Sequence, residues 1–169
     1  VAQFECELAE RHRTANDSEL ARAAIARAYQ ADATSVRAGI LEGRIESDAG
    51  NHEAAIRAYE RAARHDSDYL PEVLPSLMAN YELGGDLSGA RAFLSEMCEH
   101  YRGIAPVLAL TRLVEAQEGV AAARAYLARQ LKDRPSVRGE AALIDLTFAE
   151  GADPTATLND LTHITDQLL

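Results

Sequence analysis

The chain has 169 residues, of which 47% are hydrophobic and 5% aromatic, and its formal net charge is −10. That charge argues against binding to nucleic acid or to anionic lipid, which need a concentrated basic surface, and makes a basic partner easier to accommodate. No apolar run is long enough to span a bilayer, so we expect no direct membrane insertion. The prevalence of alanine, leucine, glutamate and arginine predicts an all-α protein.

Short polar residues mark the starts of the first helices. We expect Asp17, then Thr34 or Ser35, and then Asn51 to cap the helices that follow them, because such side chains accept hydrogen bonds from the first free amides of a helix. The predicted helices are 2–13, about 17–31, a third that ends near Asp48 and a fourth that ends near His65.

Small and apolar residues return at a nearly fixed interval. Four positions of the first helix pair match four of the second, each 34 residues later: Ala9, Ala21, Ile25 and Ala28 match Gly43, Ala55, Tyr59 and Ala62. The interval is 35 residues from Ala55 to Ala90 and 33 residues from Ala90 to Ala123. A helix pair of this length cannot bury its own apolar face, so successive pairs are expected to stack.

Prolines and glycines delimit the later helix pairs. Pro71 suits the first turn of a helix, whereas Pro75, four residues later, is expected either to delay the helix start or to bend the helix. The run Gly84-Gly85-Asp86 predicts the turn inside the third pair. Pro135 stands where a fourth pair ends.

This spacing, with small residues where helices approach closely, resembles the tetratricopeptide repeat. The resemblance implies an all-α, right-handed superhelical solenoid of about five helical hairpins in a single domain. We place the repeats at 2–35, 36–69, 70–103 and 104–135, followed by a terminal helix pair at 136–169. The helices of that pair, about 136–150 and 154–168, leave an apolar stripe at the end of the chain, so a homodimer and contact with another domain both remain open. Since the chain begins at Val1 without an initiator methionine, we expect a fragment of a longer protein.

The first helices of the hairpins would line the inner curve of such a solenoid, and their polar residues are the candidates for partner binding. An arginine at the centre of a concave face can bind a carboxylate through two parallel hydrogen bonds. The alternative is that these charges only keep the helix surface solvated. The candidates are Gln3, Glu10, Arg13, Arg37, Arg44, Arg112 and Glu115.

No residue pattern typical of catalysis or metal binding occurs in the chain. The five histidines are scattered and form no HExxH motif, and phosphate-binding glycine loops are absent. Cys6 and Cys98 lack the CxxC spacing of a zinc or redox site, so we expect reduced thiols. We therefore expect no enzymatic activity, no catalytic residue and no metal or cofactor in this chain.

Three stretches resemble one particular group of repeat proteins, the lipopolysaccharide assembly protein B (LapB, also YciM) family. They are VAQFECELAERH at 1–12, YLPEVLPSLMANYELGG at 69–85, and ALTRLVEAQEGVAAARAYLARQLKDRPSVRGEAALIDL at 109–146. Together with the second hairpin they place nearly the whole chain in the C-terminal part of that family's repeat region. The family's N-terminal membrane helix and its C-terminal rubredoxin-like domain, which binds iron or zinc through two CxxC pairs, do not occur within these 169 residues, as we expect of a fragment.

The family resemblance implies an adaptor or scaffold that regulates lipopolysaccharide biosynthesis. Members work at the cytoplasmic side of the bacterial inner membrane with the protease FtsH, promote proteolysis of the deacetylase LpxC, and are linked to lipopolysaccharide assembly and transport proteins. The main alternative is a generic repeat module of a secretion, pilus or other envelope assembly system that binds a peptide in its groove. A hydrolase with a dispersed site is the third class.

Overall fold

The structure is a computed structural model that describes residues 1–151. Within these residues the chain forms nine α-helices and a 3₁₀ turn, Ser67–Tyr69, which precedes the fifth helix. The helices are α1 (Ala2–Thr14), α2 (Ser18–Ala31), α3 (Val36–Asp48), α4 (His52–His65), α5 (Leu70–Gly84), α6 (Leu87–His100), α7 (Ala105–Glu118), α8 (Val120–Asp133) and α9 (Val137–Ala149).

The prediction of an all-α fold built from tetratricopeptide-like hairpins is confirmed. Successive helices pack as the pairs α1–α2, α3–α4 and α7–α8, and α3 also packs on α1, α2 and α5. The chain divides into two compact units, Val1–Phe93 and Leu94–Leu169, of which the second is described as far as residue 151. The repeat bounds, the single domain and the handedness of a superhelix stay predictions, and the predicted helix 154–168 lies outside the described residues.

Two of the three predicted N-caps form the expected hydrogen bond. The Asp17 carboxylate accepts the amide of Leu20 at 3.1 Å, and Ser35 rather than Thr34 caps α3. Asn51 does occupy the N-cap position of α4, but the prediction that its side chain caps the helix is wrong. Its side-chain NH2 group donates to Glu46 of the preceding helix α3 at 2.6 Å.

Pro75 does not delay the start of α5. The 3₁₀ turn leads directly into a helix that begins at Leu70, with Pro71 in its first turn and Pro75 inside it. Leu70 and Val73 are buried and anchor this first turn in the core. The helix ends at the predicted turn, where Gly85 has φ +73°, a backbone conformation that only glycine adopts without strain.

The recurring small residues lie where helices approach most closely. Ala9, Ala21, Ala55, Ala90 and Ala123 are completely buried. Gly43 of α3 faces the ring of Tyr59 on α4, and a Cβ at position 43 would lie 2.5 Å from the ring atom Cε1. The repeat interval therefore records the positions at which a side chain larger than alanine does not fit.

In the second unit, Arg134 links the segment after α8 to the end of α6. Its guanidinium donates to the backbone carbonyls of Cys98 and Tyr101, the latter at 3.1 Å, and so satisfies acceptors at the end of α6. Pro135 follows directly and α9 begins two residues later at Val137. This arrangement explains why the chain turns at the predicted repeat end.

Candidate partner-binding face

The first helices α1, α3 and α5 lie side by side in the unit Val1–Phe93 and form a continuous surface, which we call the first-helix face. Arg13 of α1 is held at its edge by two carboxylates. Its Nε and Nη2 donate to the two oxygens of Glu10 at 2.8 and 2.9 Å, and its Nη1 donates to Asp48 of α3 at 2.6 Å. Arg13 therefore links two successive hairpins.

Two arginines of α3 reach outward to its neighbours on both sides. Arg37 donates through Nη2 to Glu7 of α1 at 2.7 Å, and Arg44 donates through Nη2 to Glu72 of α5 at 3.1 Å. Both carboxylates are more than half exposed, with side-chain exposures of 55% for Glu7 and 52% for Glu72. Exposed pairs of this kind contribute little to stability, so these groups remain exchangeable with a ligand.

The arginines of the face lower the pKa of the Glu10 carboxyl group. The hydrogen bonds from Arg13 hold the pKa of Glu10 below its ordinary value, and the positive charges of Arg44 and Arg37 act in the same direction. Conversely, the hydrogen bonds to Glu10 and Asp48 raise the pKa of Arg13. Glu10 and Arg13 therefore both stay charged at neutral pH.

The structure brings together four of the seven predicted binding residues. Glu10, Arg13, Arg37 and Arg44 lie on α1 and α3 and each makes an ion pair on the first-helix face, and Gln3 is exposed one turn before Glu7 on α1. Arg112 and Glu115 lie on α7 in the other unit, where Arg112 is exposed and Glu115 half-buried. That any of the seven binds a partner stays a prediction.

The sequence analysis missed the acidic partners in this network. Glu72 could have been found from the repeat, because it lies 35 residues after Arg37 and so occupies the equivalent position of the next hairpin. Glu7 and Asp48 do not share a repeat position with the predicted residues. Their selection depends on how α1 and α3 pack, which the interval alone does not give.

A buried polar cluster fixes the junction of the second and third hairpins. The Asn80 side chain, 1% exposed, donates to the Ser47 hydroxyl at 3.0 Å and to the Ser76 carbonyl at 2.8 Å. Its carbonyl oxygen lies 2.9 Å from Nδ1 of His52, which is therefore the protonated ring nitrogen. His52 is half-buried and connects α4 to α5.

Other charged residues, outside the first-helix face, form hydrogen bonds between successive hairpins. Arg22 of α2 donates through Nε and Nη2 to both oxygens of Glu46 at 2.6 and 3.1 Å, and the Glu46 side chain is only 12% exposed. Arg61 stacks over the ring of Tyr29 and donates to its hydroxyl at 2.8 Å. These groups have less freedom to engage a partner than Arg37 or Arg44.

The sequence was compared with curated proteins and with models of protein families. No family model matches it. Lipopolysaccharide assembly protein B of Escherichia coli K12 is 30% identical over 156 residues, which make up 92% of this chain. The protein of the same name from E. coli O157:H7 matches to the same extent, and that from Haemophilus influenzae is 30% identical over 68% of the chain. The chain is a homologue of lipopolysaccharide assembly protein B.

The homology confirms the family resemblance seen in the sequence, and it concerns only part of the relatives. The chain spans 40% of the length of the E. coli assembly protein B and 29% of that of the H. influenzae protein. The name of these relatives describes assembly rather than a catalysed reaction. The activity and partners of a whole assembly protein B are therefore not transferred to this chain by homology alone.

Neither a cluster of potential metal ligands nor a membrane-spanning helix occurs among residues 1–151. Among residues 1–151 no three His, Cys, Asp or Glu side chains are grouped as metal ligands. Cys6 and Cys98 are both buried free thiols, and burial raises the pKa of each thiol. Over the same residues no helix has the length and apolar character needed to cross a bilayer.

Proposed function

We propose that this chain is the partner-binding repeat region of a regulatory adaptor in lipopolysaccharide biosynthesis. The observation that carries the proposal is the homology to lipopolysaccharide assembly protein B over 92% of the chain. In this role the protein acts at the cytoplasmic side of the bacterial inner membrane. It presents the deacetylase LpxC to the protease FtsH, contacts lipopolysaccharide assembly and transport proteins, and catalyses no reaction itself.

The architecture supports an adaptor because α1, α3 and α5 pack side by side in the unit Val1–Phe93 and offer an extended surface to a partner. On the first-helix face, Arg37 and Arg44 each donate one hydrogen bond to an exposed carboxylate, and a guanidinium has five N–H donors. A partner carboxylate can therefore replace Glu7 or Glu72 without leaving a buried charge unpaired. In this proposal the chain needs no metal or cofactor.

The decisive experiment uses the natural full-length protein that contains these repeats. With the protein tagged in its native host, we expect recovery of LpxC and FtsH, and a longer LpxC half-life when the protein is depleted. Arg44→Glu is expected to weaken LpxC recovery, whereas Arg57→Glu, on the exposed surface of α4, serves as the matched control. Recovery of neither protein with a folded, membrane-localised adaptor would overturn the proposal.

The same experiment separates this role from the generic alternative. A module of a secretion or pilus system would bind its own assembly partners and leave the LpxC half-life unchanged on depletion. An unchanged half-life therefore rejects the adaptor role even when other envelope proteins are recovered.

A further inference from the structure

Helix α5 exposes an apolar stripe that no helix of its own unit covers. Pro75, Ala79 and Leu83 are spaced by four residues, so they lie on one side of the helix, and all three are exposed. Leu83 has 69% of its surface accessible to solvent. A single exposed leucine is ordinary on a protein surface. An aligned apolar stripe indicates a docking site when the charged residues beside it also favour one kind of ligand.

The two charged residues that α5 itself contributes to this side are both negative. Glu72 and Glu82 flank the stripe, and α5 contains no lysine, arginine or histidine. In the sequence, the absence of basic residues extends from Asp66 to Ala90. Glu72 contributes one oxygen to Arg44 and is half exposed, while Glu82 is exposed and forms no ion pair within residues 1–151.

This isolation distinguishes Glu82 from other glutamates of the same unit. Glu10, Glu46 and Glu53 are each paired with an arginine. The stripe therefore has one acidic end, at Glu82, without a cation and another, at Glu72, with spare acceptor capacity. Because the chain carries a net charge of −10, its overall field attracts a basic ligand to this face as well.

We propose that the α5 face binds a basic–apolar segment of a protein partner, with one or two apolar side chains on Pro75, Ala79 and Leu83 and with lysine or arginine side chains reaching Glu72 and Glu82. Ten residues of helix separate the two glutamates, which corresponds to about 15 Å at 1.5 Å per residue. An extended peptide advances about 3.1 Å per residue. The basic residues of the bound segment are therefore about five positions apart, with the apolar residues between them.

This inference rests on the proposed role of the chain as a protein-binding repeat region and specifies the chemistry of one partner. The partner that binds α5 need not be LpxC or FtsH. If LpxC turnover responds to the protein but no basic–apolar peptide binds α5, only the present inference fails. If basic–apolar peptides bind α5 but LpxC turnover is unaffected, the adaptor role fails and the α5 site stands.

The test is selection of random 12-residue peptides displayed on phage against the full chain. We expect enriched peptides to carry apolar residues flanked by lysine or arginine, and synthetic versions to lose at least tenfold in affinity with Glu82→Gln or with Leu83→Ser. Glu19→Gln, on the outer surface of α2, and Val137→Ser, at the exposed start of α9, are matched controls that should leave affinity within twofold. Affinity should also fall as the salt concentration rises.

A charge reversal makes the test independent of folding effects. Glu72→Lys with Glu82→Lys should abolish binding of the basic peptide and create binding of the same peptide with its lysines changed to glutamate. Enrichment of acidic peptides, absence of any enrichment, or affinities that do not respond to the Glu82 and Leu83 variants would each overturn the proposal.

Discussion

The ring of Tyr59 fills the space that a side chain at Gly43 would need, since a Cβ at position 43 would lie 2.5 Å from Cε1 of the ring. Both residues are buried, and they join the two helices of the second hairpin. The ring cannot move outward without losing its own packing. A glycine in the middle of α3, intrinsically unfavourable for a helix, is thus explained by tertiary packing.

Gly43→Ala is therefore expected to destabilise the chain although alanine is the better helix former. Overpacking of this kind costs about 1–3 kcal/mol, which exceeds the helix-propensity gain of about 1 kcal/mol. Urea unfolding followed by circular dichroism measures the difference. The control is Gly84→Ala, where the new Cβ would lie 3.4 Å from the nearest atom, on His52, and should be neutral or stabilising. Equal stabilisation by both substitutions would contradict the packing argument.

Asn80→Ala should be among the more damaging substitutions of a polar residue. It removes the partner of both Ser47 and His52 at a buried junction, and unsatisfied buried groups cost about 1–3 kcal/mol each. Asn51→Ala, which removes one exposed hydrogen bond to Glu46, should cost well under about 1 kcal/mol. The same urea-unfolding assay compares the two variants. Equal losses in the free energy of unfolding would show that the buried cluster does not contribute more than an exposed hydrogen bond.

The pairing of Glu10 with Arg13 predicts how stability changes with acid. Because the pKa of Glu10 is lowered in the folded state, its contribution is present above its unfolded pKa and is lost as the pH falls through the lower folded value. Arg13→Met should therefore destabilise the chain at pH 7 and progressively less below pH 4. Urea midpoints measured from pH 7 to pH 3 test this. A loss that is independent of pH would indicate that only packing of the Arg13 side chain matters.

Two interhelical pairs should differ measurably in strength. Arg22 and Glu46 make two hydrogen bonds with a mostly buried carboxylate, whereas Arg37 and Glu7 make one between exposed groups. Double-mutant cycles should give a coupling clearly above about 0.5 kcal/mol for the first pair and at or below it for the second. A stronger coupling between Arg37 and Glu7 would argue against the exchangeability on which partner binding depends.

The sequence was most informative where structure is determined locally. Asp17 and Ser35 are the N-caps that their side chains predict, and Gly85 ends α5 as expected. The 34-residue interval located the close helix contacts at Ala21 and Ala55 correctly. The caps and the turn depend on backbone groups within a few residues, and the repeat interval marks where a small side chain is needed between helices.

The pairing of side chains between hairpins could not be read in the same way. The Asn51 side chain stands at an N-cap position but makes no capping hydrogen bond and donates to Glu46, and Arg13 reaches Asp48, 35 residues away. Each choice depends on which carboxylate the packed helices bring within about 3 Å. The repeat interval identifies equivalent positions, but it does not say which two of them face each other.

The two prolines of α5 give its first turn unusual hydrogen-exchange properties. Pro75 has no N–H to donate to the carbonyl of Pro71. The helix therefore has fewer main-chain hydrogen bonds just after the 3₁₀ turn. Side-chain burial at Leu70 and Val73 holds this segment in place. In hydrogen exchange, the amides of Val73 and Leu74 should open at lower free energy than the amides of Leu77 and Met78 one turn later. The start of α5 would then be a local opening unit, which can deform without unfolding the hairpins on either side.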